Sequence, residues 1–108
     1  MKLKGYPAIE FKEFKGIAKV VCGEEDLKNI TKNHVVVTDS TIPEYLPELL
    51  NTGAIITVAS GLLSHSAILA RETDIPTIIG VKEADEIIKD NDLLTLKGDG
   101  TIILSRDD

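Results

Sequence analysis

Apolar positions come in short runs along this chain, and the spacing within them changes from run to run. Tyr6–Phe11 and Gly16–Cys22 alternate or run apolar and predict the first two strands, joined by a turn rich in Lys and Glu. Gly23–Asn33 is polar and reads as a loop with a short turn around Glu25–Ile30. His34–Thr38, with three consecutive valines, has the β-branched character of a strand buried on both faces. Thr41, Ile42, Pro43 and Glu44 then spell T-x-x-E with Pro in the first turn, a capping box that opens a short helix through Leu49 and Leu50, stopped by Gly53. Ala54–Val58 predicts a second buried strand, followed by a sharp turn at Ala59, Ser60 and Gly61. Ser66–Glu72 predicts a helix that Ile75-Pro76 ends, and Thr77–Val81 a third buried strand. Glu83–Lys89 predicts a helical turn, and Leu93–Lys97 with Thr101–Leu104 a hairpin across Gly98-Asp99-Gly100. Strands alternating with helices imply one α/β domain over residues 1–108, a layered sheet covered by helices.

Composition narrows the functions open to such a domain. With 43% hydrophobic residues in 108 the chain can bury a core, yet it leaves no room for a second catalytic body. Runs such as Ala54–Ala59 fall far short of the roughly 18 residues of a membrane span. Pro7, Glu10, Lys12 and Glu13 stand where a signal peptide would be apolar, so a cytoplasmic protein is expected. Twelve basic residues against 18 acidic ones give a net charge of −6 with no basic block, which argues against nucleic acid as a partner. The lone Cys22 excludes an internal disulfide and is expected in the core, where free cysteines mostly lie. Two histidines and one cysteine do not make a tetrahedral zinc site unaided, so no metal is assigned.

Chemistry concentrates in the segment Ser60–Val81, which reads SGLLSHSAILARETDIPTIIGV. His65 stands there between two serines, after a Gly turn, at the junction of a buried strand and a helix. Free backbone N–H groups and the positive end of the helix dipole favour negative charge at that place. A ring nitrogen of His65 could attack a phosphoryl group, whose oxygens the helix start and the hydroxyls of Ser64 and Ser66 could then hold. At about 100° per residue Ile68, Leu69 and Glu72 share the side of His65, and small Ala67 and Ala70 would let the helix press close to a sheet. The residues alone leave open that His65 is a surface histidine or a cap.

Gly61–Val81 closely resembles the phosphohistidine signature of the mobile domain of phosphoenolpyruvate-utilising enzymes. Those include phosphoenolpyruvate synthase, pyruvate phosphate dikinase, the first enzyme of the bacterial sugar phosphotransferase system and some antibiotic phosphotransferases. Gly61, His65, Ser66, Ala67, Ile68, Leu69, Ala70, Arg71 and Glu72 match that pattern, as do Ile75, Pro76 and Gly80. The likeness extends to Gly16–Val21, Val35–Thr38 with Pro43 after it, and the closing Gly98–Leu104. Two positions differ: Ser60 replaces the first Gly of a pair, and Leu63 replaces a Thr whose hydroxyl sits beside the histidine in the family.

The resemblance implies a swivelling β/β/α domain in which His65 is the catalytic residue, accepting a phosphoryl group on Nε2 and passing it on. It implies phosphoryl-binding roles for Gly61, Ser64 and Ser66, with a serine standing in for the missing Thr, and docking or structural roles for Ile68, Leu69 and Arg71. It implies no cofactor on this chain itself. Magnesium with ATP or phosphoenolpyruvate is expected on partners, a nucleotide-binding protein of the ATP-grasp type and a phosphoenolpyruvate- or pyruvate-binding barrel. The chain would then be a phosphotransferase component, incomplete without those subunits. Two other readings share the fold: a binding or regulatory module that carries no phosphate, and a small subunit of another enzyme such as a dehydratase.

The remaining features read as structure. Gly98-Asp99-Gly100 is ordinary turn chemistry, Glu24, Glu25 and Asp26 a solvated acidic loop, and His34 a structural or exposed strand-end residue.

Overall fold

The computed structural model describes residues 1–39, 46–60 and 65–106, so the capping box at Thr41–Glu44 lies outside the described residues. Within them the chain forms β1 (Lys2–Lys4), β2 (Tyr6–Pro7), β3 (Phe14–Val21), a 3₁₀ turn (Glu24–Leu27), β4 (His34–Thr38), α1 (Leu46–Leu49) and β5 (Ala54–Thr57). Then follow α2 (His65–Thr73), β6 (Thr77–Ile79), α3 (Ala84–Ile87), β7 (Leu93–Leu96) and β8 (Thr101–Ser105). The strands make one eight-stranded mixed sheet in the order β1-β8-β7-β3-β4-β5-β6-β2, an α/β architecture.

The heart of the sheet is the parallel set β3-β4-β5-β6, each strand beside its predecessor. Three crossovers advancing in one direction with the usual right-handed sense place their connections on one face. Leu27, Leu49, Leu69 and Ile75 pack there on Val21, Val36 and Ile55. Because side chains alternate along a strand, Val35, Val37, Ala54 and Ile56 turn to the opposite face. There they meet Leu94, Leu96, Ile102 and Leu104 of the antiparallel strands, with Ala84 of α3 and Ile88 just after it. The continuous apolar runs at Val35–Val37 and Ala54–Ile56 thus serve two cores at once.

The two edges of the sheet, β1 and β2, are consecutive in the chain and joined by Gly5 alone. The sheet therefore curls until its edges meet at that residue. Gly5 donates its N–H to the Gly100 carbonyl at 3.0 Å. A Cβ on Gly5 would stand 2.5 Å from Val81 Cγ2 and 2.6 Å from the Ile79 carbonyl oxygen, so no side chain fits where the edges converge.

Three expectations change. The first strand, read as Tyr6–Phe11, is only Tyr6–Pro7, because the chain bends after Ala8 donates its N–H to Thr77 at 2.8 Å. β1 went unread because Lys-Leu-Lys carries one apolar residue. Cys22 is exposed rather than in the core: it lies just past β3, where its N–H donates to Asp26 Oδ2 at 2.9 Å and the chain leaves the sheet. The GDG hairpin turn and the structural reading of His34 hold. Asp99 Oδ1 accepts the Thr101 N–H at 2.9 Å, and His34 Nδ1 accepts the Thr31 N–H at 2.9 Å.

Candidate functional site

Parallel strands bring their C-terminal ends to one rim, and the segments leaving β4, β5 and β6 gather there. Ala59 donates its N–H to the Asp39 carbonyl at 2.9 Å, and Gly80 donates to the Ala59 carbonyl at 2.9 Å. Thr57, buried at the end of β5 opposite Thr38, donates Oγ1 to the same Ala59 carbonyl at 2.9 Å. Gly80 has φ +70° and sits between Ser60 and the Tyr6 ring; a Cβ there would stand 3.0 Å from Ser60 Cβ and 3.3 Å from Tyr6 Cδ2. The glycine that closes the motif thus packs near Ser60, with no room for a side chain between them. Gly61 and Ser64, expected to bind phosphoryl oxygens, lie outside the described residues, as does Leu63.

α2 starts at His65. Its burial divides cleanly by angle: Ser66, Ala67, Leu69 and Ala70 are buried, while Ile68, Arg71 and Glu72 are exposed. At about 100° per residue the buried positions span one arc and the exposed ones the other, with His65 on the border beside Leu69. The imidazole is accordingly half-buried. Ala67 and Ala70 have no exposed surface, so α2 lies close against the sheet. The far end is fixed by Thr73, whose Oγ1 donates to the Leu69 carbonyl at 2.7 Å, and by Asp74 in the left-handed region at φ 59°, whose N–H donates to Ala70 at 2.8 Å.

This placement separates residues that the motif strings together. Leu69 is buried in the helix-side core, and Ile68, 42% exposed, is the apolar group beside His65 at the surface. Ser66 lies in the middle of the buried arc at 2% exposure, so its side chain is directed toward the sheet and away from the solvent side of the helix. Arg71 is exposed on the outer surface, about a sixth of a turn from Ile68 and about a third of a turn from His65. Sequence reading missed the contact of Tyr6 with Gly80; its only signal was the glycine at the end of the motif.

Three carboxyl groups are held below their ordinary pKa. Asp92 is lowered chiefly by hydrogen bonds from Arg106, Glu13 by the bond from Lys97, and Asp99 by the Thr101 N–H. Among the described residues no group of three or more His, Cys, Asp or Glu could hold a metal ion, and no helix is long and apolar enough to cross a membrane.

Residues 30–100 match the family model of the mobile domain of PEP-utilising enzymes. The chain belongs to that mobile-domain family. It is 31% identical over 88 residues to a probable phosphoenolpyruvate synthase of Archaeoglobus fulgidus, a match covering 82% of this chain and 12% of that protein. Against the phosphoenolpyruvate synthase of Escherichia coli it is 36% identical over 81 residues, covering 75% of this chain and 10% of the relative. The mobile domain thus spans about a tenth of the length of the curated relatives it matches. Among solved structures, the solution structure of an Enzyme I protein aligns with a TM-score of 0.62 and 26% identity over 76% of this chain and 34% of that one. One chain of aconitase X from Thermococcus kodakaraensis aligns with a TM-score of 0.73 over 98% of this chain and 99% of that one; at 16% identity the likeness is one of fold.

Proposed function

We propose that this mobile domain is a phosphoryl carrier, a swivelling β/β/α unit in which His65 takes a phosphoryl group from an ATP- or phosphoenolpyruvate-linked partner and hands it to an acceptor. The observation that carries the reading is the position of His65: first residue of α2, half-buried, on the rim where three parallel strands end, inside the segment matched by the family. In the forward step the Nε2 lone pair attacks phosphorus in line with the leaving oxygen. The N–P bond forms as the P–O bond breaks, and the leaving group departs with that electron pair. The ring then holds its remaining proton on Nδ1. Negative charge on the equatorial oxygens faces the N-terminal end of α2, whose dipole stabilises it. The family pattern around His65 supports phosphoryl-binding roles for Gly61 and Ser64, whereas Ser66 is buried against the sheet. Magnesium, nucleotide and phosphoenolpyruvate are supplied by the nucleotide-binding and phosphoenolpyruvate- or pyruvate-binding partners. Ile68 and Arg71 form the contact surface those partners meet in turn, and reaction inside the cytoplasm follows from those substrates.

A pulse and chase tests the reading. The protein is labelled with lysate of its source cell and γ-labelled ATP or labelled phosphoenolpyruvate, reisolated, and mixed with fresh unlabelled lysate. Label that enters and then leaves within minutes supports a carrier. The substitutions at Ser60 and Leu63 favour one other reading, a binding module of the same fold, which predicts that no label enters with either donor.

A further inference from the structure

Continuing the antiparallel register of Tyr6 opposite Ile79 back along the chain would set Lys4 opposite Val81. Instead β1 leaves β6 and pairs with β8, and the sheet splits at Gly5. The wedge between the diverging segments is a cleft of about 720 Å³, walled by Leu3, Tyr6, Pro7, Gly80 and Val81, with Lys2, Lys4, Lys82 and Asp99 around it. It opens at the C-terminal end of β6, next to the strand that leads to His65, and Gly80, part of its wall, lies near Ser60: a Cβ on the glycine would stand 3.0 Å from Ser60 Cβ.

The charges around the wedge are unequal. Lys4 is held within the protein: Nζ donates to the Asp99 carbonyl at 2.7 Å and lies 3.8 Å from Asp99 Oδ2. The Asp99 carboxylate also accepts the Thr101 N–H, so it is matched by Lys4 and oriented by its own turn. Lys2 and Lys82 are exposed and form no ion pair among the described residues. Lys2 and Lys4 point to one side of β1, about 6.8 Å apart along the strand. On a chain of net charge −6 this leaves a locally positive cleft, which focuses its field on an anion. Tyr6, 67% exposed, offers a ring face beside it.

We infer that this cleft binds an organic phosphate monoester, the phosphate on Lys2 and Lys82 and the apolar or aromatic body against Tyr6, Leu3 and Val81. Two ammonium groups match the dianion with charge-assisted hydrogen bonds. The volume is that of a small-molecule site and exceeds what a bare phosphate fills. The site does not use His65. Its occupant rests on Gly80 and through it on Ser60, so a bound phosphate ester stands on the rim where the carrier histidine works.

The test is an NMR titration of the whole chain with phenyl phosphate, and separately with inorganic phosphate. Saturable shifts at Leu3–Tyr6 and Gly80–Lys82 are expected, with phenyl phosphate bound about tenfold more tightly than inorganic phosphate because its ring is buried. Lys2→Glu with Lys82→Glu should weaken binding by about tenfold or more, and the milder Lys2→Gln with Lys82→Gln should weaken it in the same direction. His65→Ala should leave it unchanged. Absence of saturable shifts, equal affinity in the lysine variants, or shifts that cluster at His65 and vanish in His65→Ala would each overturn the site.

Discussion

His65 sits at the seam between the buried and exposed arcs of α2, and that position decides what its removal does. It contributes little to either core cluster. His65→Ala should therefore cost less than about 1 kcal/mol in urea denaturation while abolishing phosphoryl uptake. The opposite behaviour is expected of Arg106. Its Nε and Nη2 each donate at 2.8 Å to the Asp92 carboxylate, which is 3% exposed, and Nη2 also reaches the Ile87 carbonyl at 3.0 Å. The fork ties the end of β8 to the start of β7. Arg106→Ala leaves a buried carboxylate without its cation and should cost about 2–3 kcal/mol. Those hydrogen bonds, helped by the Lys89 N–H and opposed by burial, hold the Asp92 carboxyl below its ordinary 3.8. A pKa lowered on folding gives stability that is complete above the unfolded value and is lost as pH falls through the folded one. Denaturation midpoints should accordingly drop on acidification below about pH 4, less steeply in Arg106→Ala. Sequence pattern could not show this pair, since nothing local links a residue before β7 to one after β8. Cys22 misled for a related reason: composition favours burial, but the strand ends one residue earlier.

At the scale of elements, short runs of β-branched residues were enough to locate β4, β5 and β6, because a strand buried on both faces needs no alternation to be recognised. The helix read as Ser66–Glu72 is observed as His65–Thr73. Its Pro76 boundary and small residues were visible in the sequence, whereas the burial of Leu69 and Ser66 was not, since it depends on how α2 is rotated against β5 and β6. Ala67 and Ala70 set that rotation. Ala67→Leu should overpack the interface, cost about 1–3 kcal/mol, and lower the rate of phosphoryl uptake because the helix start moves with the helix. Comparison of thermal midpoint and initial labelling rate in this variant checks both effects. The edge strand β1 escaped notice, and β2 was read too long, for a physical reason: both are short and held by pairing with distant β8 and β6, a register that only the closed sheet supplies.

For the whole molecule, closure at Gly5 joins the two edges and encloses the core between the parallel and antiparallel strands. Gly5→Ala puts a methyl into Val81 and the Ile79 carbonyl, and should lower stability by about 1–3 kcal/mol and raise hydrogen exchange in β1 and β8 first. The overall α/β class and the family were readable from the order of strands and one motif; the closure was not, because it depends on a glycine whose neighbours are remote in sequence. Gly61 and Ser64, proposed to bind phosphoryl oxygens, lie outside the described residues. The central claim is that His65 carries phosphate, and the most direct measurement is acid-labile, base-stable phosphate per chain after incubation with source-cell lysate and labelled ATP or phosphoenolpyruvate, in wild type and His65→Ala. Stoichiometric label in the wild type and none in the folded variant is the predicted result. Equal label in both, or none in the wild type from either donor, would contradict it.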